Sequence, residues 1–201
     1  RSGMKMRDED TVTSLFVTNT HTPILFFTSS GMVYQLKCYK LPESAPQALG
    51  KPMINLLPIE QEEKIHTVMP MPEDESSWEK LQIIFATKNG NIRRNQLSDF
   101  TNIRQNGKIA MKLPEGVEMV NARICSEADD VMLVTDSGRA IRFRTSDVRV
   151  FKGRDSTGVR GIKLREENKV VSMSVIRHFI ATAEERSAYL KMRRAVAGVL
   201  D

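Results

Sequence analysis

The chain has 201 residues, enough to bury a hydrophobic core in one domain or in two small ones. Its hydrophobic content of 40% and charged content of 27% are ordinary for a folded protein, and no apolar run is long enough to span a membrane. The formal net charge of +5 permits binding to a polyanion without requiring it.

The cysteine content and the N-terminus indicate the setting of the chain. Cys38 and Cys125 lie far apart and lack a metal-binding spacing, so we interpret them as reduced thiols of a cytosolic protein. The first residues do not form a signal peptide, and they include no initiator methionine at position 1. We therefore expect the chain to be part of a longer protein with no membrane partner.

A repeated motif, which reads as a β-hairpin of strand, tight turn and strand, occurs three times along the chain. Each turn holds a glycine, which suits a turn position that requires positive φ. A second element follows each hairpin, and in it a glycine and a leucine lie six residues apart. The hairpins are Ile24–Lys37, Ile83–Asn95 and Val131–Arg144, and the second elements are Gly50–Leu56, Gly107–Leu113 and Gly158–Leu164.

Residues with high β propensity predict further strands around these motifs. These strands are Ser14–Thr20, Pro52–Leu57, His66–Met71, Met119–Cys125 and Val170–Ile176. Each unit holds about four short strands, and the hairpin glycines are 59 and then 48 residues apart. Four strands per unit with a period near 40–50 residues are typical of propeller-like blade arrays. We therefore predict an all-β fold of about three four-stranded blades, with repeats at about 14–71, 81–126 and 130–177. A β-sandwich is the structural alternative, although it does not explain the repeated spacing.

The sequence changes character after residue 178, and residues 179–201 read as a helical insertion or tail. Thr182 and Glu185 have the spacing of a capping box, which predicts an α-helix over Ala183–Val196. Tyr189, Met192 and Val196 lie on one stripe of that helix. We expect this stripe to pack against the rest of the chain, and the alternative is that the helix binds a partner.

Nothing in the sequence resembles an active site. His21, His66 and His178 have no cysteine, serine or carboxylate at a telling spacing, so we expect structural or surface roles for them. No phosphate-binding glycine loop and no zinc-binding HExxH motif is present. Acidic pairs such as Asp129 and Asp130 fall at turns between repeats, and we interpret them as solvated charges. The sequence therefore predicts no catalytic residue and no metal ligand.

Basic residues fall at corresponding places in the three repeats, whereas acidic residues cluster after each leucine. In stacked blades, a repeated basic segment would form a band along one rim. Such a band suits the phosphates of duplex DNA, which present regular charge without base information. The alternative is a solvated basic face that only keeps the protein in solution. The predicted DNA-contacting residues are Lys37, Lys40, Lys51, Arg93, Arg94, Arg104, Lys108, Arg142, Arg144, Lys152, Arg154 and Arg160.

Several sequence segments of this chain are similar to segments of a known protein family. LFVTNTHTPILFFTSSGMVYQLKCYKLPE and GKPMINLLPIEQEEKI are followed by GKIAMKL, DDVMLVTDSGRAIRF and STGVRGIKLREENKVVSM in the same order. Together they resemble the C-terminal domain of bacterial DNA gyrase A, over residues 1 to about 178. The resemblance implies a β-pinwheel, a propeller-shaped disc of blades in which neighbours exchange a strand.

The resemblance also implies a function. The family wraps duplex DNA around a basic outer rim, which lets the whole type II topoisomerase introduce negative supercoils with ATP. It implies a bacterial, cytoplasmic, nucleoid-associated protein whose partners are duplex DNA, the rest of gyrase A, and gyrase B. ATP and magnesium belong to other parts of that enzyme, so no cofactor is expected in this chain.

The sequence departs from the family pattern in two ways. Only about three blades are present where the family usually has six, so a closed disc cannot form from this chain alone. The glycine- and arginine- or lysine-rich box of the family's first blade is absent, although Arg1–Gly3 could follow directly after it. The helical tail resembles insertions found between blades in some proteobacterial gyrases.

Three alternatives remain open from the sequence. The nearest is the C-terminal domain of topoisomerase IV, which has the same architecture without supercoiling DNA by wrapping. The second is a propeller that binds other proteins. The third is an enzyme of unknown type, which the lack of paired catalytic groups disfavours.

Overall fold

The computed structural model describes residues 12–45, 48–60, 62–165 and 167–196. The ends of the predicted pinwheel and tail, residues 1–11 and 197–201, lie outside the described residues. The described residues form twelve strands and one α-helix. The strands are β1 (Pro23–Thr28), β2 (Met32–Lys37), β3 (Ile65–Pro70), β4 (Gln82–Thr87), β5 (Asn91–Gln96), β6 (Lys108–Ile109), β7 (Met119–Cys125), β8 (Asp129–Thr135), β9 (Ala140–Arg144), β10 (Val150–Phe151), β11 (Val159–Arg160) and β12 (Val170–Arg177), and the helix is α1 (Ala183–Val196).

These strands form three separate sheets, which we call blades 1, 2 and 3. Blade 1 has the order β3-β1-β2-β6, and blade 2 has the order β10-β5-β4-β7 with β11 also paired to β5. Blade 3 has the order β12-β8-β9 within the described residues. The predicted all-β fold with a C-terminal helix is confirmed, and each blade is built on one of the three repeated hairpins.

The hairpin turns repeat the same local chemistry in every blade. Gly31, Gly90 and Gly138 all have positive φ, between 74° and 85°, as their place in the turn requires. A threonine three residues earlier accepts a hydrogen bond from the amide that follows each glycine. The donor and acceptor atoms are Met32 N and Thr28 Oγ1 (3.2 Å), Asn91 N and Thr87 Oγ1 (3.1 Å), and Arg139 N and Thr135 Oγ1 (3.1 Å).

The second repeated element binds the hairpin of the preceding blade, not its own. We call Gly107–Leu113 and Gly158–Leu164 the straps. The amides of Ala110 and Met111 donate to the carbonyl oxygen of Gly31 over 2.8 and 3.2 Å. In the next strap the amides of residues 161 and 162 donate to the carbonyl oxygen of Gly90 over 2.9 and 3.2 Å. Each of blades 1 and 2 is therefore completed by residues that come from the next repeat.

The first copy of the second element has no preceding blade within the described residues. Gly50 would have no atom within 4 Å of an added Cβ, in contrast to the strap glycines. Met53–Asn55 forms a 3₁₀ turn, so the prediction of a strand over Pro52–Leu57 is wrong. Met53 and Leu56 pack against the apolar residues of their own blade instead.

The hydrophobic core fills the spaces between blades. Leu25 and Phe27 on β1 pack against Phe85 on β4, and the rings of Phe27 and Phe85 meet edge to face with centroids 5.5 Å apart. Ile84 and its neighbours on the other face of β4 pack against Leu133 of blade 3. Because β4 is buried on both faces, its central residues Ile83–Ala86 form a continuous apolar run without polar alternation.

The blades have an inner and an outer side. β3, β7 and β12 lie next to one another in chain order, so they form the inner side of the array. β2, β5 and β9 occupy the far side of their hairpins, and the straps cover β2 and β5. The outer side is therefore built from the second hairpin strands and from the straps.

Two features at the ends of the chain differ in how well the sequence predicted them. No strand forms over Ser14–Thr20, because no strand among the described residues pairs with this segment. α1 spans the predicted residues, and its capping box is present: Thr182 N donates to Glu185 Oε2 (2.8 Å) and Glu185 N donates to Thr182 Oγ1 (3.1 Å). The hydrogen bond from the Thr182 amide lowers the pKa of the Glu185 carboxyl.

The predicted packing of the helix stripe is wrong. Tyr189 and Met192 are more than half exposed, and the side chain of Val196 lies outside the described residues. None of the helices in the described part of the chain has the length and hydrophobicity needed to cross a bilayer.

Candidate nucleic-acid interface

The predicted cations lie mainly on the outer side of the array. Lys37 ends β2, Lys108 lies on β6, and Arg160 lies on β11. Arg142 and Arg144 lie on β9, the outer strand of blade 3. Ten of the twelve predicted side chains are exposed or half-buried: Lys37, Lys40, Lys51, Arg104, Lys108, Arg142, Arg144, Lys152, Arg154 and Arg160.

Two open clefts bring part of this set together. A cleft of about 1120 Å³ between blades 1 and 2 is lined by Lys37, Arg104, Lys108 and Arg154. A neighbouring cleft of about 380 Å³ is lined by Lys108, Arg154 and Lys152. Five cations from all three repeats therefore converge on one region of the outer side.

The clefts are not purely basic. Glu75 and Glu79 line the larger one, and Asp99 and Asp155 line the smaller one. The cations of the clefts outnumber these carboxylates by a small margin, so the local field favours anions only moderately. Lys40, Lys51, Arg160 and the β9 arginines lie outside both clefts.

Arg93 and Arg94 differ from the prediction, because neither side chain reaches the surface. Arg93 is fully buried and Arg94 is 3% exposed. The Nη1 atom of Arg93 donates to the carbonyl oxygens of Arg154 (2.6 Å) and Ser156 (3.0 Å), and its guanidinium lies 5.6 Å from the ring centre of Phe151. Burial lowers the pKa of Arg93. A guanidinium in this position holds the segment that precedes the second strap on blade 2, and it cannot touch a phosphate without rearrangement.

The arginines of blade 3 contact, directly or through His178, a carboxylate that was expected to be a solvated turn charge. Asp130 on β8 is 2% exposed, and Arg142 Nε donates to its Oδ2 over 2.8 Å. The Nδ1 atom of His178 lies 2.9 and 3.0 Å from the two carboxylate oxygens. The hydrogen bond from His178 lowers the pKa of Asp130, against the opposing effect of burial.

This arrangement corrects two expectations. Asp130 is not a solvated turn charge, and His178 does have a carboxylate partner. The sheet register contains the signal for this contact, because β12 pairs antiparallel with β8 and places Arg177 opposite Asp129. The next residue, His178, therefore lies beside the start of β8. Its distance from Asp130 along the sequence does not reveal this proximity.

The ion pair of Lys88 with Glu118, and His66 on β3, lie away from the outer side. Lys88 Nζ and Glu118 Oε2 form a 2.8 Å ion pair at the hairpin-turn end of the blades, and the hydrogen bond from Lys88 lowers the pKa of Glu118. Burial lowers the pKa of His66. Within the described ranges, no three His, Cys, Asp or Glu side chains come close enough together to hold a metal ion.

A family model described as "DNA gyrase C-terminal domain, beta-propeller" matches residues 1–19, 22–70, 82–126 and 129–177. This chain belongs to that family. The matched segments cover most of the chain and include all three hairpins. The predicted resemblance is confirmed.

Curated relatives are similar to this gyrase C-terminal domain over nearly its whole length. DNA gyrase A of Rickettsia bellii is 50% identical over 192 residues, which are 96% of this chain and 21% of that protein. DNA gyrase A of Escherichia coli K12 is 42% identical over 177 residues, 88% of this chain and 20% of that protein. The chain spans about a fifth of the length of the curated relatives it matches.

Solved structures share the fold. The C-terminal domain of a DNA topoisomerase IV matches with a TM-score of 0.71 and 26% identity, over 80% of this chain and 49% of that one. A DNA gyrase A C-terminal domain matches with a TM-score of 0.62 and 22% identity, over 85% of this chain and 55% of that one. The fold of this gyrase C-terminal domain is therefore that of its structural neighbours.

Proposed function

We propose that the outer side of this array binds duplex DNA through its phosphates, without reading base sequence. The observation that carries the proposal is the set of cations on β2, β6, β9 and β11, which lie on the outer strands and straps of all three blades. A duplex that crosses successive blades would meet positive charge at each step. The family membership supports DNA as the polyanion.

We further propose that the DNA follows the curve of the array, so that bending is offset by added phosphate contacts. In this proposal the chain serves a bacterial, cytoplasmic type II topoisomerase that supercoils DNA negatively with ATP. Its partners are the rest of gyrase A, and gyrase B, and ATP and magnesium act elsewhere in that enzyme. The domain division at about residue 178 belongs to the same proposal, with the helix as an appended element.

The phosphate contacts are proposed for the accessible members of the predicted set. Arg93 and Arg94 are left out because they are buried. Lys108, Lys152 and Arg154 are the central candidates, since they share a cleft at the junction of blades 1 and 2. Arg142 and Arg144 extend the surface to blade 3.

A salt titration of DNA binding tests the proposal. The double variant Lys152→Glu and Arg160→Glu reverses two exposed cations of repeat 3. Each phosphate contact contributes about 0.9 to the slope of log affinity against log salt, so the double variant should lower that slope by about two. Fluorescence anisotropy with a labelled duplex measures the slope.

A matched control makes the same charge change elsewhere. Lys64→Glu and Lys169→Glu alter the loops at the hairpin-turn end, where the Lys64 carbonyl accepts from Ser29 N and the Lys169 carbonyl accepts from Asp136 N. We expect this control to leave the slope nearly unchanged. Equal slopes for both double variants would refute an interface on the outer side, and binding that does not weaken with salt would favour a protein-binding propeller.

A second candidate is supported by the match to the topoisomerase IV domain, which has the higher TM-score of the two solved structures above. In that case the surface would bind DNA without wrapping it. Ligase-mediated circularisation of DNA in the presence of the chain distinguishes the two, because wrapping traps a change in linking number that simple binding does not.

A further inference from the structure

Four side chains of blade 3 form one continuous chain of contacts. Arg142 donates to Asp130, Asp130 is bonded to Nδ1 of His178, and Arg144 Nη2 lies 3.1 Å from Nε2 of the same imidazole. The order is therefore Arg142, Asp130, His178 and Arg144. Two accessible cations of the proposed DNA surface are joined through a buried carboxylate and a half-buried ring.

The partners define which imidazole nitrogen carries the hydrogen. An ionised carboxylate only accepts hydrogen bonds, and a guanidinium only donates them. A neutral His178 therefore donates from Nδ1 to Asp130 and accepts at Nε2 from Arg144. In this state the guanidinium of Arg144 is hydrogen-bonded to the imidazole.

The network is particular to blade 3, so the blade fold does not require it. Counting back from the turn threonine of each hairpin, Pro23 in blade 1 and Gln82 in blade 2 occupy the place of Asp130. Neither of these residues is ionisable. A buried charge is costly to desolvate, so its presence in one blade alone points to a role beyond packing.

We propose that Asp130 and His178 are positioning residues for the rim arginines of blade 3, and that protonation of His178 frees Arg144 for a phosphate. This inference rests on the proposed DNA-binding function and adds a regulation to it. Histidine is the side chain that ordinarily changes charge near neutral pH. The second proton converts Nε2 from an acceptor into a donor facing a guanidinium, so the contact with Arg144 is lost and like charges repel.

Charged groups face His178 from β8, from β9 and from β12. On β8, Asp130 keeps its bond to Nδ1, and Asp129 accepts from the backbone and hydroxyl of Ser126. On β9 the facing charges are the two arginines, and on β12 the neighbour is Arg177. In the loop after β9, Asp147 accepts from the Arg144 amide over 3.2 Å. Asp130 stays ionised near neutral pH because its pKa is lowered.

DNA affinity measured at about pH 8 and about pH 6, at fixed salt, tests the proposal on the complete chain. The affinity of the unmodified protein should rise by about three- to fivefold on acidification, the size of one exposed ion pair. His178→Asn keeps a donor for Asp130 but has no group that titrates. Its affinity should stay nearly constant and match the acidic value of the unmodified protein.

Arg144→Gln provides the matching control, because it removes the cation that His178 would release. It should lose most of the acid gain even though the histidine remains. His21 and His66 are present in every protein compared, so they cannot account for a difference between the variants. If His178→Asn or Arg144→Gln keeps the full acid gain, the proposal is overturned.

A readout independent of DNA separates this inference from the proposed function. Long-range ¹⁵N spectra of the His178 ring should show the hydrogen on Nδ1 at about pH 8. A ring hydrogen on Nε2 at that pH overturns the network. If no variant binds DNA at either pH, the proposed function fails and this inference fails with it, whereas DNA binding without a His178 effect overturns this inference alone.

Discussion

Substituting the strap glycine Gly158 with alanine tests whether the straps hold the blades together. The φ of Gly158 is +81°, where an L-residue costs about 1–2 kcal/mol. An added Cβ would also overlap the carbonyl oxygen of Ile92 and lie 2.9 Å from its carbonyl carbon. These are backbone atoms of β5, which is paired on both sides, so they cannot move aside.

The strap must therefore move away from β5. The contacts that the strap then loses determine how much the substitution destabilises the protein. Two amide hydrogen bonds to Gly90 would be weakened, each contributing about 0.5–1.5 kcal/mol. Ile162 and Leu164 would lose part of their contact with the core between blades 2 and 3. We expect Gly158→Ala to lower the free energy of unfolding by about 3–5 kcal/mol in total.

Gly50→Ala is the matched control. Gly50 has the same place in its repeat and a φ of +73°, but an added Cβ would meet no atom within 4 Å. Only the backbone cost of about 1–2 kcal/mol should remain. Urea unfolding measures both free energies, and hydrogen exchange at the amides of residues 161 and 162 reports the strap directly. Equal destabilisation by the two substitutions would refute the role of the strap contact.

Three further predictions concern buried polar groups. Arg93→Ala should lower the free energy of unfolding, measured in urea, by about 2–4 kcal/mol, since it removes a guanidinium bonded to the carbonyls of Arg154 and Ser156. Burial raises the pKa of Cys125 to about 12, so iodoacetamide should alkylate it far more slowly than the half-buried Cys38. The pKa of Asp130 is lowered in the folded state, so its stabilising effect is present above the unfolded pKa and lost as pH falls through the folded value. Asp130→Asn should therefore destabilise the protein at neutral pH in thermal unfolding, with a difference that shrinks in acid.

Each of these predictions has an outcome that contradicts it. A change in the salt slope of DNA binding for a folded Arg93→Ala protein would show that this side chain meets phosphate after all. Equal alkylation rates for the two thiols would place Cys125 at the surface. If the destabilisation caused by Asp130→Asn grew on acidification, the ionised Asp130 side chain would not be the stabilising form.

Local features of this fold could be predicted from the sequence because their causes are local. The turn glycines require positive φ whatever surrounds them, and the α1 cap depends on Thr182 and Glu185 alone. The continuous apolar run of β4 indicated a strand. It did not indicate that the two faces of this strand pack into two different cores. The fold class followed from the repetition of these units.

Features that depend on contacts between repeats could not be predicted in the same way. Arg93 and Arg94 are adjacent in a strand, and no pattern in the sequence indicates that residues of repeat 3 cover Arg93. The contact between Asp130 and His178 depends on sheet register across 48 residues. The strand predicted over Pro52–Leu57 failed for a related reason, since this element needs a preceding hairpin as its partner.

Because each strap belongs to the repeat after the blade that it covers, the blades are completed one after another in chain order. During synthesis, a hairpin leaves the ribosome before the strap that will cover its outer strand, because that strap belongs to the next repeat. The most recently made blade therefore always presents an uncovered strand edge, which is a site for aggregation. Shortening the chain from its C-terminal side removes one blade and also uncovers the outer strand of the blade before it. Such a loss therefore affects more blades than an equal loss from the N-terminal side.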